Sequence, residues 1–254
     1  MIDGPTLLDE ALRAGVELDA VYVEERALDE PWAAALLGRC DALGVRRLDL
    51  ADGTLEAATE TVTPRPIAAI GRIRTRPLRY FTSSTSGLVL VLAGVTDPGN
   101  AGTILRSAEA SGAKGVIATS GSVDLHSPKV VRASAGSIFR VPVAAAGHDA
   151  SHAEGIVDGV DERGAAADVV RALAGAGFAT LGTVASGGTP YDLVDLTAPV
   201  AVVLGNEAHG LDAETQGALT NRVTIPMVGA TESLNVAMAA TVICFESARQ
   251  RRRA

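Results

Sequence analysis

Asn100, Arg106, Glu207, Ser233 and Asn235 are the residues of this sequence whose types and spacing point to chemistry. Glu207 follows the unbroken apolar run Val200 to Leu204, which ends in Gly205-Asn206. Ser233 and Asn235 follow a shorter run, Val223 to Ile225, ended by Pro226. Asn100 closes the turn that begins at Asp97, and Arg106 lies six residues further on. In open α/β sheets ligands bind outside the carboxyl ends of strands. Three polar strand ends converging on one edge therefore make a candidate site. Taken alone, Asn100 reads as a helix cap and Arg106 as a surface cation; the combination is what points to a site.

Other chemistries find less support. No G-x-G-x-x-G follows a strand, and neither G-x-x-x-x-G-K-S/T nor G-x-S-x-G occurs, which argues against dinucleotide, P-loop and α/β-hydrolase enzymes. Glu207 and Glu232 as a glycosidase carboxylate pair have no further support. His148 and His152 have i,i+4 spacing with Glu154 nearby, but they lie in a Gly/Ala/Asp-rich stretch and read as solvated loop residues, so no metal is expected. His126 and His209 stand alone.

The elements that must position the site follow from hydrophobic periodicity. Leu88 to Ala93, Gly115 to Ala118, Phe178 to Val184 and Val200 to Leu204 read as buried strands, with a further strand opening at Phe139. Between them Ala101 to Ala110, Lys129 to Ala133 and Val169 to Ala174 read as helices, and a last helix starts near Ser233 as its N-cap. This alternation predicts an α/β fold with a mostly parallel sheet covered on both faces. Residues 3–63 read as a smaller α/β unit, with helices from Leu7 and from Trp32 to Leu43, closed by Gly15 and Gly44, and strands at Ala20 to Val23 and Val45 to Leu50. Residues 64–86 are rich in Pro and Arg and read as a boundary and linker, able to contact phosphate or simply to stay solvated.

Composition narrows the class. Of 254 residues, 47% are hydrophobic and 20% charged, enough for a sizeable core and too apolar for disorder. Two cysteines cannot make a disulfide framework and fit a reducing compartment. No apolar run spans a membrane, and the opening Met1-Ile-Asp-Gly-Pro lacks the basic start of a signal peptide, so the expected location is cytoplasmic. The net charge of −8 argues weakly against nucleic-acid binding, although local clusters outweigh the total.

Three segments carry a resemblance. Asn100-x-Gly-x-x-x-Arg106, Leu204-Gly-Asn-Glu-x-x-Gly-Leu211 and Ile225-Pro-Met-x-x-x-x-Glu-Ser-Leu-Asn-Val-Ala237 resemble, in order, the three motifs of the SpoU (TrmH-type) RNA 2′-O-ribose methyltransferases. The resemblance covers about residues 87–249. The unit before it resembles the ribosomal-protein-like substrate domain that often precedes this catalytic domain, with the chain opening inside that unit. The domains implied are 1–80 for RNA binding, 81–86 as linker and 87–254 for catalysis.

The resemblance, and not periodicity, implies a C-terminal trefoil knot that cradles S-adenosylmethionine and a homodimer with its site at the interface. It assigns Arg106 to the target nucleotide, assisting deprotonation of the 2′-OH. A guanidinium is a poor base, so two routes stay open: action through a phosphate, or electrostatic stabilisation of the alkoxide. Asn100, Glu207, Ser233 and Asn235 are expected to position Arg106 and the ribose. Backbone around Thr183, Leu204, Gly205, Ile225, Met227 and Leu234 is expected to hold the cofactor, with Gly205 allowing close approach to it. The activity implied is methyl transfer to a ribose 2′-OH, with ribosomal RNA ahead of transfer RNA as substrate. The alternative from another class is a knotted RNA-binding or assembly protein with little turnover.

Overall fold

The computed structural model describes residues 1–58, 65–146 and 164–253. The pair His148 and His152 lies outside the described residues. Two sheets organise the chain. The first is built from β1 (Ile2–Asp3), β2 (Leu18–Glu24), β3 (Arg46–Leu50) and β4 (Ile67–Gly71), in the order β1-β4-β2-β3. β2 and β3 are parallel, while β4 runs antiparallel to both of its neighbours. Helices α1 (Pro5–Arg13), α2 (Ala33–Ala42) and the short α3 (Thr54–Ala58) complete this unit. The Pro- and Arg-rich stretch expected to be linker thus contributes an inner strand. Its apolar run Ile67 to Ala69 is fully buried, and burial outweighs the flanking prolines. A short helix, α4 (Leu78–Thr82), follows, and its Leu78 and Phe81 enter the core of the second sheet.

The second sheet holds β5 (Leu88–Ala93), β6 (Gly115–Ala118), β7 (Val143–Ala145), β8 (Ala179–Thr183), β9 (Thr189–Pro190), β10 (Val200–Gly205) and β11 (Asn221–Thr224). Their order is β7-β6-β5-β10-β8-β11-β9, and every neighbouring pair is parallel. Helices α5 (Pro98–Ser111), α6 (Pro128–Ala133), α7 (Ala166–Gly175), α8 (Ala213–Ala218) and α9 (Val236–Arg251) surround it. The inner strands are apolar throughout because each face has its own core. Leu88, Leu90 and Leu92 join the cluster that holds Ile104 and Ile243, whereas Val89 and Val91 join the one that holds Val169 and Leu173. No helix among the described residues is long and apolar enough to cross a membrane.

Three local expectations are corrected. The cap of α5 is Asp97, whose carboxylate accepts from the Asn100 amide at 2.7 Å; Asn100 itself sits in the first turn with its side chain released for other partners. The cap of α9 is Asn235 and not Ser233; its Oδ1 accepts from the amides of Ala237 (2.9 Å) and Met238 (3.3 Å). Phe139 does not open a strand. After Gly136 (φ 92°) the amides of Phe139, Arg140 and Val141 bond to nearby carbonyls in a tight helical turn, and β7 begins only at Val143.

The motif glycine Gly102 is explained by packing. A Cβ there would lie 2.4 Å from the Ala133 side chain and 2.6 Å from its backbone. Glycine lets α5 and α6 approach that closely.

Candidate active site

Register sets the site. β5 and β10 pair from Leu88↔Val200 to Ala93↔Gly205, so both strands end level with each other. β8 pairs with β10 on its other side and with β11 beyond, which brings the ends at Thr183 and Thr224 to the same edge. The segments leaving β8, β10 and β11 enclose a cavity of about 430 Å³, with the loop after β5 beside it.

The loop after β10 is held by its own side chain. Asn206 Nδ2 donates to the Gly94 carbonyl (2.8 Å), while its Oδ1 accepts from the amides of Ala208 (2.9 Å) and His209 (3.1 Å). The backbones of Asn206 and Gly210 exchange hydrogen bonds, closing a tight turn with Gly210 at φ 67°. That fold-back places Gly210 against Gly205: a Cβ on Gly205 would meet the Gly210 carbonyl carbon at 2.6 Å. Gly205 was expected to make room for a ligand. It lines the cavity, and its missing side chain also makes room for the chain itself at Gly210.

Glu207 points from this turn to the start of α5. Its carboxylate accepts from Asn100 Nδ2 (3.0 Å) and, more weakly, from the amides of Thr96 (3.4 Å) and Asp97 (3.5 Å). Burial is the largest single influence on this carboxyl and opposes its charge. The hydrogen bonds from Asn100 and from the amides of Glu207, Thr96 and Asp97 together outweigh it and keep the group below its ordinary range. Asn100 is held in turn, because its Oδ1 accepts from Asn235 Nδ2 at 3.0 Å. One hydrogen-bonded line, Asn235 to Asn100 to Glu207, thus joins all three motif segments.

Most of the sequence-predicted residues meet here. Thr183, Gly205, Glu207, Ile225, Met227, Ser233, Leu234 and Asn235 line the cavity. Leu204 does not; it is fully buried inside β10. Asn100 stands behind the lining and touches it through Glu207 and Asn235. Glu232 is not among the lining residues. Val184, Ala185, Asn206, Ala239 and Ile243 line it without having been singled out. The strand-end rule already applied elsewhere would have found Val184 and Ala185, since they directly follow β8. Ala239 and Ile243 carry no signal beyond helical periodicity.

Arg106 is not brought to the cavity of its own chain. It is exposed on α5, with no hydrogen bond or ion pair to the other described residues. Six residues of helix separate it from Asn100 by about 9 Å along the axis and about 240° around it. Its neighbour Ser107 is hydrogen-bonded to Thr241 of α9 (2.7 Å), so α5 and α9 lie side by side here. Met238 and Phe245 of α9 are left 59% and 46% exposed, the kind of apolar surface that marks a contact.

The lining suits one kind of ligand. Ile225, Leu234 and Ile243 supply an apolar floor for a flat heterocycle, and Asn206, Glu207, Ser233 and Asn235 supply donors and acceptors for a polar, charged end. A nucleoside with a cationic substituent, as in S-adenosylmethionine, fits that division. Among the described residues no group of three His, Cys, Asp or Glu side chains is placed to hold a metal ion.

Comparison with known proteins adds the following. The model of the SpoU rRNA Methylase family matches residues 87–245. The chain is 29% identical over 246 residues to the 23S rRNA (guanosine(2553)-2′-O)-methyltransferase RlmP of Bacillus subtilis, covering 96% of this chain and 86% of the relative. It is 31% identical over 232 residues to the 23S rRNA (uridine(2479)-2′-O)-methyltransferase of Streptomyces viridochromogenes, covering 91% and 75%. Among solved structures, the SpoU methyltransferase AviRb of Streptomyces viridochromogenes in complex with the cofactor AdoMet superimposes with a TM-score of 0.82 at 29% identity, covering 99% of this chain and 89% of that one.

Proposed function

The chain belongs to the SpoU rRNA methylase family, and on that premise we propose that it transfers a methyl group from S-adenosylmethionine to a ribose 2′-OH of 23S-type ribosomal RNA. The observation that carries this reading is the Asn235–Asn100–Glu207 line beside a cavity walled by the ends of three parallel strands.

When bound, S-adenosylmethionine supplies a methyl group on an electrophilic sulfonium. The chain's residues do the rest. The turn from Asn206 to Gly210 and the segment from Ile225 to Leu234 form the walls that orient the reacting end. Glu207, held below its ordinary range by Asn100 together with the backbone amides of Glu207, Thr96 and Asp97, offers an acceptor at the mouth, and Asn235 holds Asn100 in place. Ser233 offers a hydroxyl to the ribose. In the transfer, the carbon–sulfur bond breaks as the carbon–oxygen bond forms, and the 2′-OH proton leaves to water or to an adjacent phosphate. Arg106 supplies a guanidinium that stabilises the developing negative charge on the 2′-oxygen.

In this reading Arg106 serves the cavity of a second copy. Supporting it are the exposure of Arg106 and the exposed apolar positions Met238 and Phe245 on the adjoining helix. The protein is then a homodimer with two composite sites. A C-terminal trefoil knot belongs to the same proposal. Its support is that β10, late in the chain, enters between β5 and β8, which precede it. In the same proposal 1–80 holds the RNA-binding unit, 81–86 the linker and 87–254 the catalytic domain of a cytoplasmic enzyme, with α4 packing across that boundary onto the second sheet.

The direct test is transfer of labelled methyl from S-adenosylmethionine to unmodified 23S rRNA, with ribose methylation located by resistance to alkaline cleavage. One protected position is expected. Transfer to tRNA alone would overturn the substrate, and no ribose methylation of either RNA would overturn the activity.

A further inference from the structure

The arginine-rich stretch between the two sheets is not used by the mechanism, yet the structure fixes it in place. The Arg72 amide donates to the Glu17 carbonyl (2.9 Å), and the Arg76 amide donates to the Val143 carbonyl (2.7 Å). Residues 72–76 therefore form a strap tied to the first unit at one end and to β7 of the second at the other. Beneath it lies a second cavity, of about 130 Å³, with Ile2 and Val16 on one wall, Ile138 and Phe139 on the other, and arginines at its rim.

The rim arginines are not equivalent. Arg72 is paired with Glu17 and Asp19, and Arg140 with Glu10 and Glu109. Arg74 has no ion pair among the described residues. Arg76 faces no carboxylate among them either; its guanidinium lies over the Tyr80 ring, 5.3 Å from the centroid. Both arginines are exposed, as is Tyr80 at 38%. The chain has 30 acidic residues against 22 Lys and Arg, yet none falls between Glu60 and Asp97. An acidic protein that leaves two neighbouring guanidiniums without counter-ions, on a segment pinned at both ends, offers a ready anion contact.

We propose that Arg74 and Arg76 bind backbone phosphates of the RNA substrate where the strap crosses between the two units. This rests on the RNA reading above and deepens it by naming a contact. Planar guanidinium forks match phosphate geometry, and the Tyr80 ring beneath Arg76, itself packed edge-on against Phe81, holds that guanidinium at the surface. The RNA reading above is what favours phosphate over the carboxylates of an acidic polypeptide as the anion. Because the strap is tied to both units, RNA held there is placed in fixed relation to the second sheet and its cavity.

The test uses the full chain, a 23S rRNA transcript, and binding measured as a function of salt. Each phosphate contact contributes about 0.7 to 0.9 to the slope of log K against log salt. The Arg74→Gln/Arg76→Gln variant should therefore bind with a slope shallower by about 1.4 to 1.8, and Arg74→Lys/Arg76→Lys should recover most of it. Affinity for S-adenosylmethionine, measured by calorimetry, should be unchanged in both. An unchanged slope in the Gln variant overturns the proposal while leaving the enzyme reading intact. Loss of S-adenosylmethionine binding would make the strap a structural tie and overturn it as well. Polyglutamate displacing the RNA at equal charge would assign the patch to acidic polypeptide. Failure of the unaltered protein to bind the transcript at any salt would instead remove the RNA reading itself.

Discussion

Asn235 Nδ2 donates to Asn100 Oδ1 at 3.0 Å, across 135 residues of chain. The same Asn235 uses its Oδ1 to cap α9. One side chain thus starts a helix and orders a site, and the two roles use different atoms.

That division is testable. Asn235→Ala should lose the cap, about 1 kcal/mol, together with the hold on Asn100. Asn235→Asp keeps a capping oxygen but replaces the donor with a second acceptor facing Asn100 Oδ1. Urea titration should therefore find Asp close to the unaltered protein and Ala less stable. Methyl transfer should be impaired in both. Equal turnover of Asp and the unaltered protein would remove the positioning role.

Gly205 bears on the turn before it bears on any ligand. Gly205→Val must push Gly210 away, at a cost of about 1–3 kcal/mol for overpacking. Both stability and S-adenosylmethionine affinity should fall, and Gly205→Ala should already show part of each effect. Thermal unfolding and calorimetry on the same samples check this. A Gly205→Val protein with unaltered melting temperature would contradict the intramolecular contact.

Arg106 is exposed and without partners among the described residues, so Arg106→Ala should leave stability and S-adenosylmethionine affinity unchanged. Turnover should fall roughly 100-fold or more, about 3 kcal/mol in transition-state stabilisation, with kcat and kcat/KM falling together. Arg106→Lys should fail nearly as badly, because an ammonium lacks the planar fork. Co-expression of Arg106→Ala with Gly205→Val should restore some activity through heterodimers carrying one intact composite site. No restoration in a verified heterodimer would refute the shared site alone.

The last turns of α9 carry a pH-dependent clasp. Two hydrogen bonds from Arg249 (2.7 and 2.6 Å), with one from Gln250 (2.8 Å), lower the Glu246 carboxyl from 4.5 to about 2. The folded value lies below the unfolded one, so the contribution is complete above about pH 4.5 and is lost as pH falls towards 2. Arg249 is partly solvated, which keeps the effect small. Melting temperatures of Glu246→Gln and the unaltered protein should differ most above pH 4.5 and converge near pH 2. A constant offset across that range would exclude the clasp.

Much of this protein is legible in its sequence. The apolar runs at Leu88 to Ala93 and Val200 to Leu204 announced strands covered on both faces, because in water only burial sustains such runs. Three motif segments, each ending a strand, marked the edge where the cavity lies. What periodicity could not see was short or context-dependent. β9 and α8 are too brief to show a period. β4 hides among prolines and is a strand because the first sheet receives its buried residues.

By itself the sequence determined the α/β class, the strand ends that bear the chemistry and the membership in a family. Those depend on local pattern: an apolar run is buried wherever it lies, and a motif is read along the chain. Only the tertiary structure decided which atoms meet. It made Asp97 and Asn235 the caps in place of Asn100 and Ser233, because a cap depends on where the first helical amides point. It turned Gly205 towards Gly210 and held Arg106 away from its own cavity. Such contacts join residues far apart in sequence, and their distances follow from register and helix packing, which composition and periodicity do not encode.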